Sequence, residues 1–280
     1  MGLYTAIIAG ILGSLAGGSK FSITGPTGAM AVIILSTVNK YGLEGLLLAG
    51  FLAGLMQIMF GLLKLGKVVK FIPLPVISGF TAGIGVLIFF GQISNFLGLN
   101  VKSQEHIWST FYLILQNLVH INKYALLISI GTIVFIVGIS RMSRIERFKF
   151  LKNIPPSIIV LIAAMFFVYH SGVSMPVVGS IPSELPHFEW IKINFDLVKM
   201  VLPAALTIAL LGAIEALLCA VVADGTTGTK HKSNKELIGQ GVANTVVPFF
   251  GGMACTAAIA RTMVNIKEGA KTMFARVYHA

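Results

Sequence analysis

One acidic residue lies in the middle of a long apolar run. Glu215 stands within residues 197–223, which are otherwise mostly apolar. If such a run crosses a membrane, a carboxylate at its centre costs about 2.5–3.5 kcal/mol on insertion scales, so a functional role is the first hypothesis. The carboxylate would bind a cation such as Na⁺ or accept a proton, and the alternative is a structural carboxyl bonded to a neighbouring helix end. Cys219 follows four residues later on the same helix face and is a second candidate at this cation site.

A short motif near the start of the chain could bind an anion. Gly25, Pro26, Thr27 and Gly28 follow an extended-looking tetrapeptide, residues 21–24. Because Pro favours the first position of a helix, the motif predicts a helix that starts at Pro26 and continues to residue 38. A helix of that length spans about half a bilayer, so its start lies near the midplane. The unpaired N–H groups and the positive dipole end there attract anions, and the alternative is a Pro-Gly kink in an ordinary transmembrane helix.

A second interrupted segment lies near the other end of the chain. The pair Gly251 and Gly252 precedes small residues around Thr256, and an apolar stretch then reaches Arg261. Two interrupted segments in corresponding places of two halves are typical of a midplane site in inverted-repeat transporters. We therefore expect two positive helix ends to face one another across a central pocket.

The composition indicates the elements that must position these groups. Of the 280 residues, 56% are hydrophobic and only 11% are charged, whereas a soluble chain has about 25% charged residues. The sequence therefore predicts an all-α integral membrane protein. Several runs approach the roughly 20 residues that span a bilayer, and others fall short, which favours broken helices. The eight apolar runs cover residues 3–15, 29–38, 43–65, 76–92, 124–140, 158–169, 197–223 and 238–250.

Enzymatic, metal and disulfide chemistry find no support in the sequence. The six histidines lie in loops or at segment ends without metal-ligand spacing, and no nucleophile has a base partner in the sequence. Cys219 and Cys255 lie in membrane-embedded runs, where we expect them to pack rather than to pair. The chain is therefore expected not to be an enzyme and to need no cofactor.

The basic residues predict an orientation. They cluster after every second membrane crossing, and the positive-inside rule places such clusters in the cytoplasm. The net charge of +11 therefore follows membrane topology and not nucleic-acid binding. We expect a multi-pass protein of the plasma (inner) membrane. The clusters comprise Lys64, Lys67 and Lys70; Arg141, Arg144, Arg147, Lys149 and Lys152; and Lys230, Lys232 and Lys235.

These motifs resemble the SulP, or sulfate permease, family of anion transporters, which is related to the solute carrier 26 proteins. The resemblance extends over essentially the whole chain. It is carried by residues 2–4, 17–20 and 25–29 for the second and third helices of the family, by residues 71–83 for the fifth, by residues 223–225, 227–229 and 236–241 for the eighth and ninth, and by residues 260–262 for the tenth.

The resemblance implies part of a fold with seven plus seven inverted-repeat helices and two broken half-helices. It implies core-domain helices in residues 1–70, gate-domain helices in residues 71–196 and second-repeat core helices in residues 197–280. Glu215 matches an acid implicated in Na⁺ or proton coupling, and Arg261 would add positive potential or serve as a cytoplasmic-side anchor. The resemblance places the anion at Pro26, Thr27, Gly28 and Ala29 of one half-helix start and at Cys255, Thr256, Ala257 and Ala258 of the other.

The expected function is secondary active transport of a small inorganic anion, sulfate or bicarbonate, or of a dicarboxylate, coupled to Na⁺ or H⁺. The expected partners are the anion, the coupling ion, membrane lipid and a second copy in a homodimer. Ala254 and Ala257 replace a Pro and a Gly that the family usually has, which puts selectivity in question. The chain also resembles a fragment, without the family's first helix, last four helices and cytoplasmic STAS domain. The alternatives are a non-functional or partner-dependent fragment and a nucleobase permease of the same architecture.

Overall fold

The computed structural model describes residues 1–67, 74–99, 101, 107–143, 145, 156–173 and 184–280. Short 3₁₀ helices occur at Leu118–His120 and Val247–Phe250. Lys70, Arg144, Arg147, Lys149, Lys152 and residues 71–73 of the fifth-helix motif lie outside the described residues. The elements are α1 (Gly2–Ala16), β1 (Thr24–Gly25), α2 (Gly28–Leu62), α3 (Leu74–Leu97), α4 (Ile107–Gln116), α5 (Lys123–Met142), α6 (Pro156–Ser171), α7 (Phe195–Thr227), α8 (Ser233–Val246), β2 (Thr256–Ala257), α9 (Ile259–Lys267) and α10 (Phe274–His279).

Three of the described helices are long and apolar enough to cross a membrane, namely α2, α5 and α7. The helix α2 is interrupted at Gly42, whose backbone is left-handed with φ 69°. The absence of a Cβ lets Gly adopt this conformation at little cost, so the chain breaks there into two helical segments. The first segment is the short helix that the sequence predicted, and it extends a few residues beyond the predicted end at residue 38.

Side-chain caps set the starts of the two other long helices. The Asn122 side chain accepts hydrogen bonds from the N–H groups of Tyr124 and Ala125, both at 3.1 Å, where α5 begins. The Asn194 side chain accepts one from the Asp196 N–H at 3.0 Å, where α7 begins. Such caps satisfy N–H groups that have no partner within the helix.

The chain divides into two compact units. The first comprises residues 1–84 and 182–280, and the second comprises residues 85–181. In the second unit α5 packs against α6, and both expose mainly apolar side chains. The predicted division into core and gate domains places its boundaries after residues 70 and 196, and it stays a prediction.

Within the first unit, α8 packs against α2, α1 and α7. Glycines allow this close approach: a Cβ built at Gly241 would lie 2.6 Å from the Ile58 nitrogen, and one built at Gly239 would lie 2.5 Å from the Gly17 nitrogen. Small residues at helix contacts are typical of membrane proteins, where packing rather than the hydrophobic effect holds helices together. The main apolar core joins α2 and α7 and contains Met30, Leu48, Ala49, Ala53, Val201, Ala205, Ile208, Ala209 and Ala254.

Candidate anion and cation site

The two broken segments meet in a short antiparallel strand pair. Thr24 of β1 lies opposite Ala257 of β2, and Gly25 lies opposite Thr256. Because the strands run in opposite directions, α2 and α9 begin from opposite ends of the pair. We name the segments that precede these helices the first lead-in (residues 17–27) and the second lead-in (residues 252–258). The structure thus brings together the two helix starts that the sequence singled out.

The helix α2 starts two residues later than the sequence predicted. Thr27 has extended backbone angles, φ −122° and ψ 151°, and its hydroxyl oxygen accepts a hydrogen bond from the Met30 N–H at 3.4 Å. Thr27 is therefore the cap, Gly28 is the first helical residue, and Pro26 stands outside the helix. The prediction of a helix start at Pro26 was wrong, since a capping hydroxyl and not the proline ring defines this start.

Glu215 lies directly beside this helix start. The Thr27 hydroxyl donates a hydrogen bond to the Glu215 Oε2 at 3.2 Å, and Glu215 is 7% exposed. The same hydroxyl oxygen thus caps α2 while its proton points to the carboxylate. Cys219 lies apart from this contact, because its thiol donates to the Thr262 hydroxyl at 3.1 Å. The structure therefore connects Glu215, and not Cys219, to the start of α2 by a hydrogen bond.

The second helix start has no side-chain cap. The helix α9 begins at Ile259 after Ala258, whose own N–H donates to the Ile23 carbonyl at 2.9 Å. The Cys255 N–H is also occupied, since it donates to the Asn244 Oδ1 at 2.8 Å. The first N–H groups within α9 have no partner inside the helix, and no side chain caps them. An anion at this start would meet the backbone from Ile259 onward.

The helix α7 contacts both lead-ins. The Thr256 hydroxyl donates to the Gly212 carbonyl at 2.8 Å, about one turn before Glu215. Gly212 itself admits close neighbours, since a Cβ there would lie 3.0 Å from the Met30 methyl group. Thr27, which caps α2, and Thr256, which lies just before α9, therefore bond to α7 within one turn of each other.

The structure also shows the surroundings of Arg261 and Ala257, which the sequence analysis singled out. A Cβ built at Gly25 would lie 2.9 Å from the Arg261 Nη1, so the exposed Arg261 guanidinium lies against the backbone of the first lead-in. The Ala257 methyl group is buried against Ala216 and Cys219 of α7. Ala257, which stands where the family usually has a glycine, therefore packs its methyl group on the α7 side of the strand pair.

Sequence reasoning missed a polar face of α8. Glu236, Gln240 and Asn244 are four residues apart, so they share one face of the helix, and all three are at most 2% exposed. Glu236 contacts the first lead-in, while Gln240 and Asn244 contact the second. The signal was present in the sequence, because Gln240 and Asn244 lie in the predicted apolar run 238–250 with Glu236 one turn before Gln240, and polar residues at this spacing indicate interhelical hydrogen bonds.

The amide side chains form a buried network around Cys255. The Asn244 amide nitrogen donates to the Cys255 carbonyl at 2.9 Å and to the Gln57 Oε1 at 2.8 Å. Gln240 donates to the same Cys255 carbonyl at 2.9 Å, and Gln57 donates to the Ala209 carbonyl at 3.2 Å. The network thus connects the second lead-in to α2, α7 and α8 without a charged group.

Comparison with known proteins identifies the family. A family model described as the sulfate permease family matches residues 1–280. "Putative sulfate transporter YvdB" of Bacillus subtilis is 47% identical over 285 residues, which cover 99% of this chain and 52% of that protein. "Bicarbonate transporter BicA" of Picosynechococcus is 36% identical over 295 residues, which cover 100% of this chain and 50% of that protein. The chain belongs to the sulfate permease family. It spans about half the length of these curated relatives.

Solved structures agree with this membership of the sulfate permease family. The transmembrane domain of a cyanobacterium bicarbonate transporter BicA aligns with a TM-score of 0.80 and 34% identity, covering 99% of this chain and 71% of that one. Murine Slc26a9, an anion transporter in the inward-facing state, aligns with a TM-score of 0.83 and 19% identity, covering 99% and 52%, and it supports the fold alone. The predicted helical membrane fold of the inverted-repeat kind is confirmed, with the short β1–β2 pair added to it. Membership of a permease family also confirms that the chain is not an enzyme.

Proposed function

We propose that this chain carries the substrate site of a secondary transporter for a small inorganic anion. The observation that carries the proposal is the β1–β2 pair, from which two half-helices start in opposite directions. The relatives named for sulfate and for bicarbonate make these two anions the first candidates, with a dicarboxylate as the third.

The anion would bind between the starts of α2 and α9. At α2 it would meet the backbone of Gly28 and Ala29 beside Pro26 and Thr27. At α9 it would meet the backbone that follows Ala258, while Cys255, Thr256 and Ala257 shape the wall through the strand pair. Two positive helix ends and backbone N–H groups bind an anion without a buried cationic side chain. Exposed Arg261, which lies against Gly25, would raise the positive potential at the site.

Glu215 is the proposed coupling group. Its carboxylate is buried and receives a hydrogen bond from Thr27, which also caps α2. Binding of Na⁺ or H⁺ at Glu215 would change the charge beside the anion, so cation and anion binding would favour one another. We assign Cys219 to packing behind the strand pair, because its thiol bonds to Thr262.

The chain would lie in the plasma (inner) membrane with its basic loops in the cytoplasm. Lys64 and Lys67 follow α2, Arg141 lies at the end of α5, and Lys230 lies between α7 and α8. The positive-inside rule places these ends on the cytoplasmic side. We also propose that two copies of the protein form a homodimer in the lipid bilayer.

Uptake by reconstituted vesicles tests the proposed function. The gene product that contains these 280 residues would take up radiolabelled sulfate or bicarbonate, and an inward Na⁺ or H⁺ gradient would accelerate uptake. Glu215→Gln should remove this gradient dependence, while Glu44→Gln, at an exposed glutamate that pairs with Lys192 at 3.2 Å, should preserve it. Absence of uptake of sulfate, bicarbonate and dicarboxylates under either gradient would refute the proposal.

A further inference from the structure

Two buried charges lie next to the first lead-in, outside the proposed anion site. Glu236 of α8 is 2% exposed, and Arg276 of α10 is 1% exposed. Burying a charge is costly unless it is paired and hydrogen-bonded, so two such residues need a structural or functional reason. Neither touches Thr27 or Glu215 in any hydrogen bond of the described residues.

Both charges bind the backbone of the same residue, Ser19. The Glu236 Oε2 accepts hydrogen bonds from the Gly18 and Ser19 N–H groups, both at 2.7 Å. The Arg276 Nη1 donates to the Ser19 carbonyl, and its Nη2 donates to the Gly13 carbonyl at 2.8 Å. The backbone of Ser19 is therefore held by a carboxylate through its N–H and by a guanidinium through its carbonyl.

A glycine makes this arrangement possible. A Cβ built at Gly17 would lie 2.9 Å from the Glu236 Oε2 and 3.1 Å from the Arg276 Nη2. The two charged groups therefore converge on one small volume, where their opposite charges compensate each other. A side chain at residue 17 would displace one or both of them.

The contacts continue from Ser19 into the strand pair. The Ser19 hydroxyl accepts hydrogen bonds from the N–H groups of Phe21 and Ser22, both at 3.3 Å. The next residue, Ile23, donates its N–H to the Thr262 hydroxyl of α9 at 2.9 Å. Arg276 belongs to α10, which follows α9 in the chain. The first lead-in is thus tied to the second half-helix at Ile23 and to the segment after that half-helix at Ser19.

We propose that Glu236 and Arg276 are positioning residues that hold the first lead-in against the second half-helix and thereby set the spacing of the two helix starts. The expected effect of these residues on anion affinity rests on the proposed function, whereas their effect on the position of the first lead-in does not. Neither residue needs to touch the anion, because both act through the backbone of residues 18 and 19.

The two native cysteines report different contacts: Cys219 of α7 bonds to Thr262, which holds the first lead-in, and also packs against Ala257 of the second, whereas Cys255 lies within the second lead-in. Cys219 is fully buried and bonds to Thr262, the same side chain that receives the Ile23 N–H of the first lead-in. Cys255 is fully buried in the second lead-in among amide side chains. A thiol reagent reaches a buried cysteine only when the surrounding structure opens, so its rate of reaction measures local opening.

The experiment measures alkylation of both cysteines by N-ethylmaleimide in the purified protein, with the modified peptides quantified by mass spectrometry. Arg276→Met should raise the rate at Cys219 by about tenfold and change the rate at Cys255 by less than about twofold. In Arg276→Lys the alkylation rate at Cys219 should lie between the rates in the wild type and in Arg276→Met, because one ammonium group replaces the two contacts of the guanidinium. In the double variant Glu236→Gln with Arg276→Met, Cys219 should react more slowly than in Arg276→Met alone, because the double variant leaves no uncompensated buried charge. Lys267→Met, at an exposed lysine of α9, is the matched control and should leave both rates unchanged.

Uptake kinetics of the same variants provide the second measurement. With sulfate and bicarbonate as probes, Arg276→Met should raise the KM of the transported anion by about fivefold with Vmax nearly unchanged, and Arg276→Lys should restore part of the affinity. Equal reactivity of Cys219 in Arg276→Met and in the wild type would overturn the proposal. So would a parallel rise at both cysteines, or a Cys219 effect with unchanged KM. If the wild type transports no anion, the proposed function fails, and the cysteine rates still decide whether the pair holds the lead-in.

Discussion

The two lead-ins lie side by side in the strand pair, yet they are held by different chemistry. The first is bonded by the Glu236 carboxylate and the Arg276 guanidinium, and the second by the amides of Gln240 and Asn244. Asn244 lies 11 residues from Cys255 in the chain, whereas Glu236 lies 218 residues from Gly18. Bringing distant segments together costs more chain entropy than bringing nearby ones together, by about 0.6 kcal/mol for each doubling of the loop length, and charge-assisted hydrogen bonds are stronger than neutral ones. The comparison indicates that α8 bonds both lead-ins, and that the distant one is held by a charged side chain of α8 together with Arg276 of α10.

The largest effect is expected when the charged contact is removed. Glu236→Ala takes away the acceptor of two N–H groups and leaves the Arg276 guanidinium buried without its counter-charge. We expect the folded state to lose about 3–5 kcal/mol. Thermal unfolding of the purified protein in detergent, followed by tryptophan fluorescence, measures this loss. The exposed Glu268→Ala is the control, and an equal shift in both variants would contradict the charged contact.

A smaller effect is expected at the neutral contact. Asn244→Leu removes the partner of the Cys255 N–H and one donor to the Cys255 carbonyl, so a buried backbone N–H stays unpaired. The cost should be about 1–3 kcal/mol, which is less than for Glu236→Ala. The same unfolding assay applies, with Asn39→Leu at an exposed position as the control. If Asn244→Leu proves more destabilising than Glu236→Ala, the distinction between the two lead-ins fails.

These contacts also show what the sequence could and could not predict. The helical membrane fold and the two broken helices follow from composition, Gly positions and run lengths. The start of α2 was misplaced because Pro26 and Thr27 are both helix-start signals, and only backbone angles distinguish the first helical residue from the cap.

The burial of Arg276 could not be predicted. Arg276 lies in a mixed polar stretch near the end of the sequence, where arginine is usually exposed. Its burial depends on Gly13 and Ser19, more than 250 residues away. Glu236, Gln240 and Asn244 were predictable as one helix face by their spacing of four, but their partners were not, because partners depend on how helices pack.

A modest effect is expected when a methyl group is removed from the second lead-in. Ala257→Gly deletes a methyl group that packs against Ala216 and Cys219, and it adds backbone freedom in the unfolded chain. Together these should cost about 1–2 kcal/mol. Thermal unfolding checks the loss, and a stability equal to that of the wild type would mean that the methyl group is not packed as described.

The smallest change in stability is expected when a methyl group is added to the first lead-in. In Gly25→Ala the new methyl group would meet the Arg261 Nη1 at 2.9 Å, and the end of that flexible side chain can move away. Stability should change by less than about 1 kcal/mol, because a buried Gly→Ala change that needs only a flexible side chain to move also reduces the freedom of the unfolded chain. The affinity for the anion should fall because the guanidinium is displaced. Isothermal titration with sulfate or bicarbonate measures the affinity, and an unchanged affinity would remove Arg261 from the site.

The most direct measurement of the central claim is amide chemical-shift mapping of the ¹⁵N-labelled protein in lipid nanodiscs. Sulfate and bicarbonate are titrated, and gluconate serves as a bulky control anion. The anion that binds should shift the amide signals of Gly28 and Ala29 at the start of α2 and of Ile259 and Ala260 at the start of α9, and gluconate should not. Shifts at only one of the two helix starts, or at neither, would contradict an anion site between the two half-helices.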